Sequence, residues 1–191
     1  MSHHIHFPNR QSIRLKGYDY SQEGLYFITM CCQDRIHLFG EIIEGEMHLN
    51  DFGKIAYEEW MKTPEIRTNV SLSNFIIMPN HMHGIISIDY KMSIETNKNT
   101  NKFNSPTHTI GAIIRGYKGA STKRINNLIR QIKEDSHSTG ELQFAPTLIK
   151  SFPGEGSIWQ RNYWEHIIRD EQSLYRISEY ISNNPKNWKA D

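Results

Sequence analysis

The chain has 191 residues, 37% hydrophobic and 11% aromatic, enough to bury a globular core and too apolar for a disordered chain. No run of about 18 apolar residues occurs, which excludes a spanning helix, and the opening Met-Ser-His-His-Ile-His-Phe-Pro lacks the apolar stretch of a secretory signal. A net charge of +1 excludes a chain that is basic throughout, and the only cysteines, Cys31 and Cys32, are adjacent, so a disulfide-free protein of the reducing cytoplasm is expected.

Residues 1–23 read as an extended arm with a small basic segment at Arg10, Arg14 and Lys16; residues 24–191 read as one domain. Leu25 to Cys32 is rich in aromatic and branched residues and predicts a buried strand. Leu38 to Leu49 predicts a hairpin turned at Glu44-Gly45. Asn50 or Asp51 caps a helix whose Phe52, Ile55, Ala56, Trp60 and Met61 share one face, with Pro64 closing it. Val70 to Met78 predicts a second core strand, and after the Pro79-Asn80 turn His81 to Ile88 returns antiparallel to it.

Residues 91–108, dominated by Asn, Lys, Thr and Ser, read as a flexible insert. A helix follows from about Ile110 to Ile132, where Gly116 and Gly119 interrupt the apolar stripe and predict a bend or a split. Residues 134–156 read as a second insert, Ser157 to Ile168 as the fourth core strand, and Asp170 as the cap of a last helix that ends near Asn183, ahead of Pro185. Without hairpin and inserts the order is strand, helix, strand, strand, helix, strand, plus one helix. That order predicts an α+β domain of the ferredoxin-like, split βαβ plan: an antiparallel sheet, two helices on one face, and an extra C-terminal helix free to cover the other.

Two features carry chemistry. In Met78-Pro-Asn-His-Met-His-Gly84 the period of a strand puts His81 and His83 on one face, half of a metal site, and Met82 on the other. On the last helix Tyr180 and Asn184 stand four apart and share a face. The stretch from Thr109 to Lys133 holds Arg115, Lys118, Lys123, Arg124, Arg130 and Lys133 without an Asp or Glu, an electrostatic footprint for phosphates. Trp159, Tyr163 and Trp164 are candidates for stacking on unpaired bases, although alternation turns Tyr163 and Trp164 to opposite faces.

Four stretches, in order, resemble the single-tyrosine HUH transposases (His, bulky apolar residue, His), and among them the REP-associated tyrosine transposases. They are Arg14-Leu-Lys-Gly-Tyr-Asp-Tyr-Ser21, Met78 to Gly84, Trp159-Gln-Arg-Asn-Tyr-Trp-Glu-His166 and Glu179-Tyr-Ile-Ser-Asn-Asn-Pro185. The resemblance implies the ferredoxin-like fold with the tyrosine on the helix after the last strand. It further implies a DNA nicking and joining enzyme in which Tyr180 is the nucleophile, and His81, His83 and an amide one turn beyond the tyrosine hold Mg2+ or Mn2+. Asn184 fits that amide and Asn183 competes with it, because a residue before proline is pushed out of helical geometry.

The expected product is a 5′-phosphotyrosine link with a free 3′-hydroxyl, from single-stranded or hairpin DNA. Arg14, Lys16, Arg115, Lys118, Lys123 and Arg124 are the expected phosphate contacts, and a homodimer, though no membrane, is an admissible partner. Two other classes stay open at this point: a non-catalytic nucleic-acid-binding module on the same fold, and a metal phosphodiesterase that activates water. Tyr175, one turn before Tyr180, is the rival tyrosine.

Overall fold

The computed structural model describes residues 14–15, 17–92, 108–139 and 156–188, the side chains of 135–139 excepted. Strand β1 is Gly24–Cys31. A hairpin of β2 (Gly40–Ile43) and β3 (Glu46–Leu49) follows. Then come α1 (Asp51–Met61), the short α2 (Thr63–Ile66), β4 (Val70–Ile77) and β5 (His81–Ile88). Helix α3 is Ile110–Thr139, β6 is Trp164–Ile168 and α4 is Glu171–Asn183. The predicted turn at Glu44-Gly45 is present, both residues at positive φ (51° and 80°), as a two-residue hairpin loop requires. Asn50 caps α1 by accepting from Gly53 N, and Asp170 caps α4 by accepting from Ser173 N.

The main sheet runs β4–β5–β1–β6 and every neighbouring pair is antiparallel. The first and third of its strands therefore take the centre, as the split βαβ plan places them. Alternation divides the sheet into two faces. Tyr26, Ile28 and Met30 of β1, with Met82 and Ile86 of β5, meet Ala56 and Trp60 of α1 and Ile113, Ile114 and Tyr117 of α3 in the larger core. Phe27 of β1, Ile85 of β5 and Ile168 of β6 turn the other way and meet Ile181 of α4, flanked by Leu174 and Ile177. Both faces thus carry helices, and among the described residues α4 is the helix that packs on the second.

Three boundaries differ from the sequence expectation. Pro64 does not close α1; it sits in the first turn of α2, where a missing N–H costs nothing. Helix α3 runs unbroken through Gly116 and Gly119 and on past Ile132 to Thr139. Its stripe of Ile110, Ile113, Ile114, Tyr117, Ile125 and Ile129 stays in register with the core, and that burial outweighs two glycines. The fourth strand begins only at Trp164. Before it, Trp159 is buried in the core with its indole N–H donating to Ser121 Oγ (2.9 Å), and Lys118 Nζ donates to the carbonyls of Gln160 (2.9 Å) and Asn162 (2.8 Å). Those carbonyls are satisfied by a side chain instead of a neighbouring strand. Of the expected inserts, residues 93–107 and 140–155 lie outside the described residues, as do residues 1–13 and Lys16 of the arm. Tyr20, from the arm's end, is buried in the main core.

Gly84 shows how closely the sheet is packed beneath its central strands. A Cβ there would stand 2.8 Å from Trp60 Cζ2 and 3.2 Å from Phe75 Cβ. Trp60 is fully buried and has nowhere to move. Gly84→Ala is therefore expected to destabilise the fold by about 1–3 kcal/mol, despite alanine's lower entropic cost in a strand, and a denaturant midpoint will show it.

Candidate active site

The register of the central strands builds the site. β1 and β5 pair Thr29 with His83 and Cys31 with His81, so these side chains share the α4 face with Phe27. The His81 and His83 Nε2 atoms face each other 3.1 Å apart. Their other ring nitrogens are tied down: His81 Nδ1 to Asn80 Oδ1 at 2.7 Å and His83 Nδ1 to Thr29 Oγ1 at 2.8 Å. An amide oxygen only accepts, so His81 carries its proton on Nδ1 and offers a lone pair at Nε2. The Thr29 hydroxyl can donate or accept; in the tautomer where it accepts, His83 Nε2 is left open to the Tyr180 hydroxyl, 3.2 Å away.

Helix α4 delivers that hydroxyl. The Tyr180 ring lies 5.1 Å from the His83 ring and edge-on to Phe27 at 6.2 Å, while Phe27 stacks on His83 at 5.4 Å. Tyr180 remains 51% exposed, so a substrate can reach it. The rival Tyr175 instead donates to Glu179 Oε1 (2.9 Å), on the solvent side of the helix.

Asn184 is the C-cap of α4 and keeps helical dihedrals (φ −57°, ψ −43°) in spite of Pro185. It therefore stays on Tyr180's face. Trp188, beyond it, packs its ring 5.8 Å from His81. Asn184 falls in sequence between the residue over His83 and the residue over His81, and among the described residues its side chain makes no hydrogen bond. Asn183 is more exposed.

Burial lowers the pKa of both imidazoles, His81 to about 4 and His83 to about 3; the Arg35 charge adds to the first and the neighbouring His81 to the second. Both rings are neutral throughout the physiological range. The unfolded chain would protonate these histidines near pH 6.5 and the folded chain would not. Their contribution to stability is complete above that pH and is lost as pH falls toward 4. In chelator-treated buffer, the urea midpoint is expected to drop between pH 6.5 and 4, and to drop less in the His81→Asn, His83→Asn double variant.

The arrangement fits a divalent cation. With Thr29 accepting from His83, both Nε2 lone pairs face one point, where a positive charge would relieve their mutual repulsion. Donors at about 2.1 Å from an octahedral ion and at right angles lie about 3.0 Å apart, close to the observed spacing. Among the described residues no group of three or more His, Cys, Asp or Glu is placed to hold a metal ion, and an amide oxygen such as that of Asn184 is the kind of donor that would add to the two imidazoles.

The predicted phosphate contacts separate into two kinds. Arg124 pairs with Glu58 and Glu59 (2.7 Å each), and Lys118 is consumed by the Gln160 and Asn162 carbonyls, its pKa lowered to about 8 by burial. Arg14 donates to the Tyr163 hydroxyl (2.5 Å) and lies over that ring. Arg115 and Lys123 are exposed, and Lys16 lies outside the described residues. Helix α3 packs on the face opposite Tyr180, so the structure does not bring its basic residues to the histidine pair. Sequence reasoning missed Thr29, Asn80, Phe27 and Trp188. Asn80 stood in the motif itself, but the other three acquire meaning only through strand register and the path beyond α4.

No protein-family model matches the chain. An uncharacterized protein of Haemophilus influenzae is 43% identical over 96% of this chain and 92% of its own length. A second protein of the same organism, described as a "Putative REP-associated tyrosine transposase", is 25% identical over 87% of this chain and 73% of its own. Among solved structures, a REP-associated tyrosine transposase bound to a REP hairpin superposes with a TM-score of 0.51 at 17% identity, over 91% of this chain and 73% of that one, a likeness of fold. No helix among the described residues is long and apolar enough to cross a membrane. In sequence, then, the chain is similar to a protein described as a REP-associated tyrosine transposase, and in fold to a solved one.

Proposed function

We propose that this protein is a transposase that nicks and joins single-stranded or hairpin DNA through a 5′-phosphotyrosine intermediate on Tyr180. The observation that carries the reading is the Tyr180 hydroxyl 3.2 Å from His83 Nε2, a contact between residues 97 apart in sequence. His81, His83 and Asn184 would hold Mg2+ or Mn2+. The bound cation would draw charge from the phosphodiester and offset what builds up in the transition state.

The chain's own groups supply the rest. Tyr180 Oη attacks phosphorus; a P–O bond forms to the tyrosine and the bond to the 3′-oxygen breaks. The half-exposed phenol passes its proton to water, and the departing 3′-oxygen takes one up. Ester replaces ester, so a second 3′-hydroxyl can reverse the step and join strands without a nucleotide cofactor. Thr29 and Asn80 hold the imidazoles in the tautomer that offers Nε2. Phe27 supports His83 and Tyr180 together.

Incubating the protein with hairpin oligonucleotides and Mn2+ is expected to give a slowly migrating, denaturant-resistant protein–DNA adduct. Hydrolysis without an adduct would point to activated water, and binding without cleavage to a non-catalytic module.

A further inference from the structure

Trp164 has no role in the chemistry above, yet it is the only tryptophan among the described residues counted as a large exposed hydrophobic, at 50% exposure. Its ring is parallel to that of His166 within 5°, with centroids 6.0 Å apart, so the two form flat plates along one face of β6. The same Trp164 ring meets the edge of Phe27 at 5.7 Å, and Phe27 meets Tyr180 edge-on at 6.2 Å. One buried ring thus separates the plates from the reactive phenol.

Between β6 and α4 lies a cavity of about 260 Å³ lined by Phe27, Trp164, His166, Ser173, Arg176 and Ile177. That is below the ~300–1,000 Å³ of pockets for drug-sized ligands, room for a single ring system. Arg176 holds its guanidinium on Ser173 Oγ (3.3 Å) and stands one turn before Tyr180. Flat apolar plates, a ring-sized space and a cation at the rim match one nucleotide: a π-face to stack and a phosphate to neutralise.

We propose that Trp164 and His166 form a stacking subsite for one unpaired base of single-stranded DNA, next to the phosphate offered to Tyr180, with Arg176 meeting the adjoining phosphate. The placement of the strand rests on the role proposed for Tyr180; the stacking itself does not. Because every base has a π-face, the subsite is expected to tolerate any base and to reject its absence.

The test uses full-length Tyr180→Phe protein, so that no strand is cut, titrated with dT12 or with an abasic 12-mer of equal charge. The expected result is a preference for dT12 of about five-fold or more. Trp164→Phe should retain most of it. Trp164→Ala should lose it, while affinity for the abasic strand, which reports phosphate contacts, changes by less than about two-fold. Should the alanine variant melt early, Trp164→Leu keeps apolar bulk without a π-face and must show the same loss. Equal preference with and without the tryptophan, no preference in the parent, or no binding of dT12 overturns the subsite. An adduct with wild-type protein alongside a flat Trp164 series removes the subsite and leaves the tyrosine chemistry. A Trp164-dependent preference without any adduct does the reverse.

Discussion

Tyr180→Phe is expected to abolish the covalent protein–DNA adduct and to lower strand cleavage by about a thousand-fold or more, because the variant lacks the attacking atom. The ring should stay in place, since its contacts with Phe27 and His83 are ring contacts that phenylalanine preserves. What is lost beside the chemistry is one hydrogen bond to His83, worth about 0.5–1.5 kcal/mol and nearer the lower end at a half-exposed site. Folding and hairpin binding should therefore persist while the adduct disappears on a denaturing gel. Tyr175→Phe is the control, because that hydroxyl is occupied by Glu179. Cleavage by Tyr180→Phe at the wild-type rate would sink the tyrosine mechanism, and an adduct that moved to Tyr175 would sink the assignment.

The second large effect is expected from His83→Ala, which removes the most connected side chain of the site. His83 faces His81, shares a hydrogen bond with Tyr180, is tied to Thr29 and stacks on Phe27. Calorimetric titration with Mn2+ should show binding abolished, and the adduct should vanish with it. Thr29→Val gives the graded version. It keeps the shape of the residue and unties Nδ1, so Mn2+ affinity should fall by about 10–100-fold, the usual effect of losing a partner behind a ligating histidine. If His83→Ala titrated like wild type, the cation would have to bind elsewhere. If Thr29→Val alone were unchanged, the ring would be held by packing against Phe27 and not by its hydrogen bond.

The reading of the sequence went furthest where a side-chain period coincided with a cap or a turn. β1, the hairpin at Glu44-Gly45, α1 with its Asn50 cap, β5 and α4 with its Asp170 cap all follow from local chemistry. His81, His83 and Tyr180 could be named because each stood in a distinctive stretch, and the structure brings those three together. The unbroken course of α3 was not legible, because Gly116 and Gly119 argue locally for a break and only the buried stripe on the far side of the sheet overrules them. Neither was the late start of β6, which depends on Lys118 reaching from another helix to the carbonyls that a strand partner would have taken. The same contact shows what counting charges leaves out. In one dimension Lys118 and Arg124 read as phosphate contacts; in three they also hold the protein's own carbonyls and carboxylates.

Met82 lies between the two histidines and is fully buried in the opposite core. A strand built this way admits no sliding, since a shift of one residue would drive both imidazoles into hydrocarbon and strand the thioether beneath the tyrosine. The bulge between Leu72 and Phe75 leaves the outer strand, β4, to absorb any mismatch, while β5 and β1 stay in strict step. The cation proposed for this pair would accordingly find no site until these two ribbons lock, late in folding.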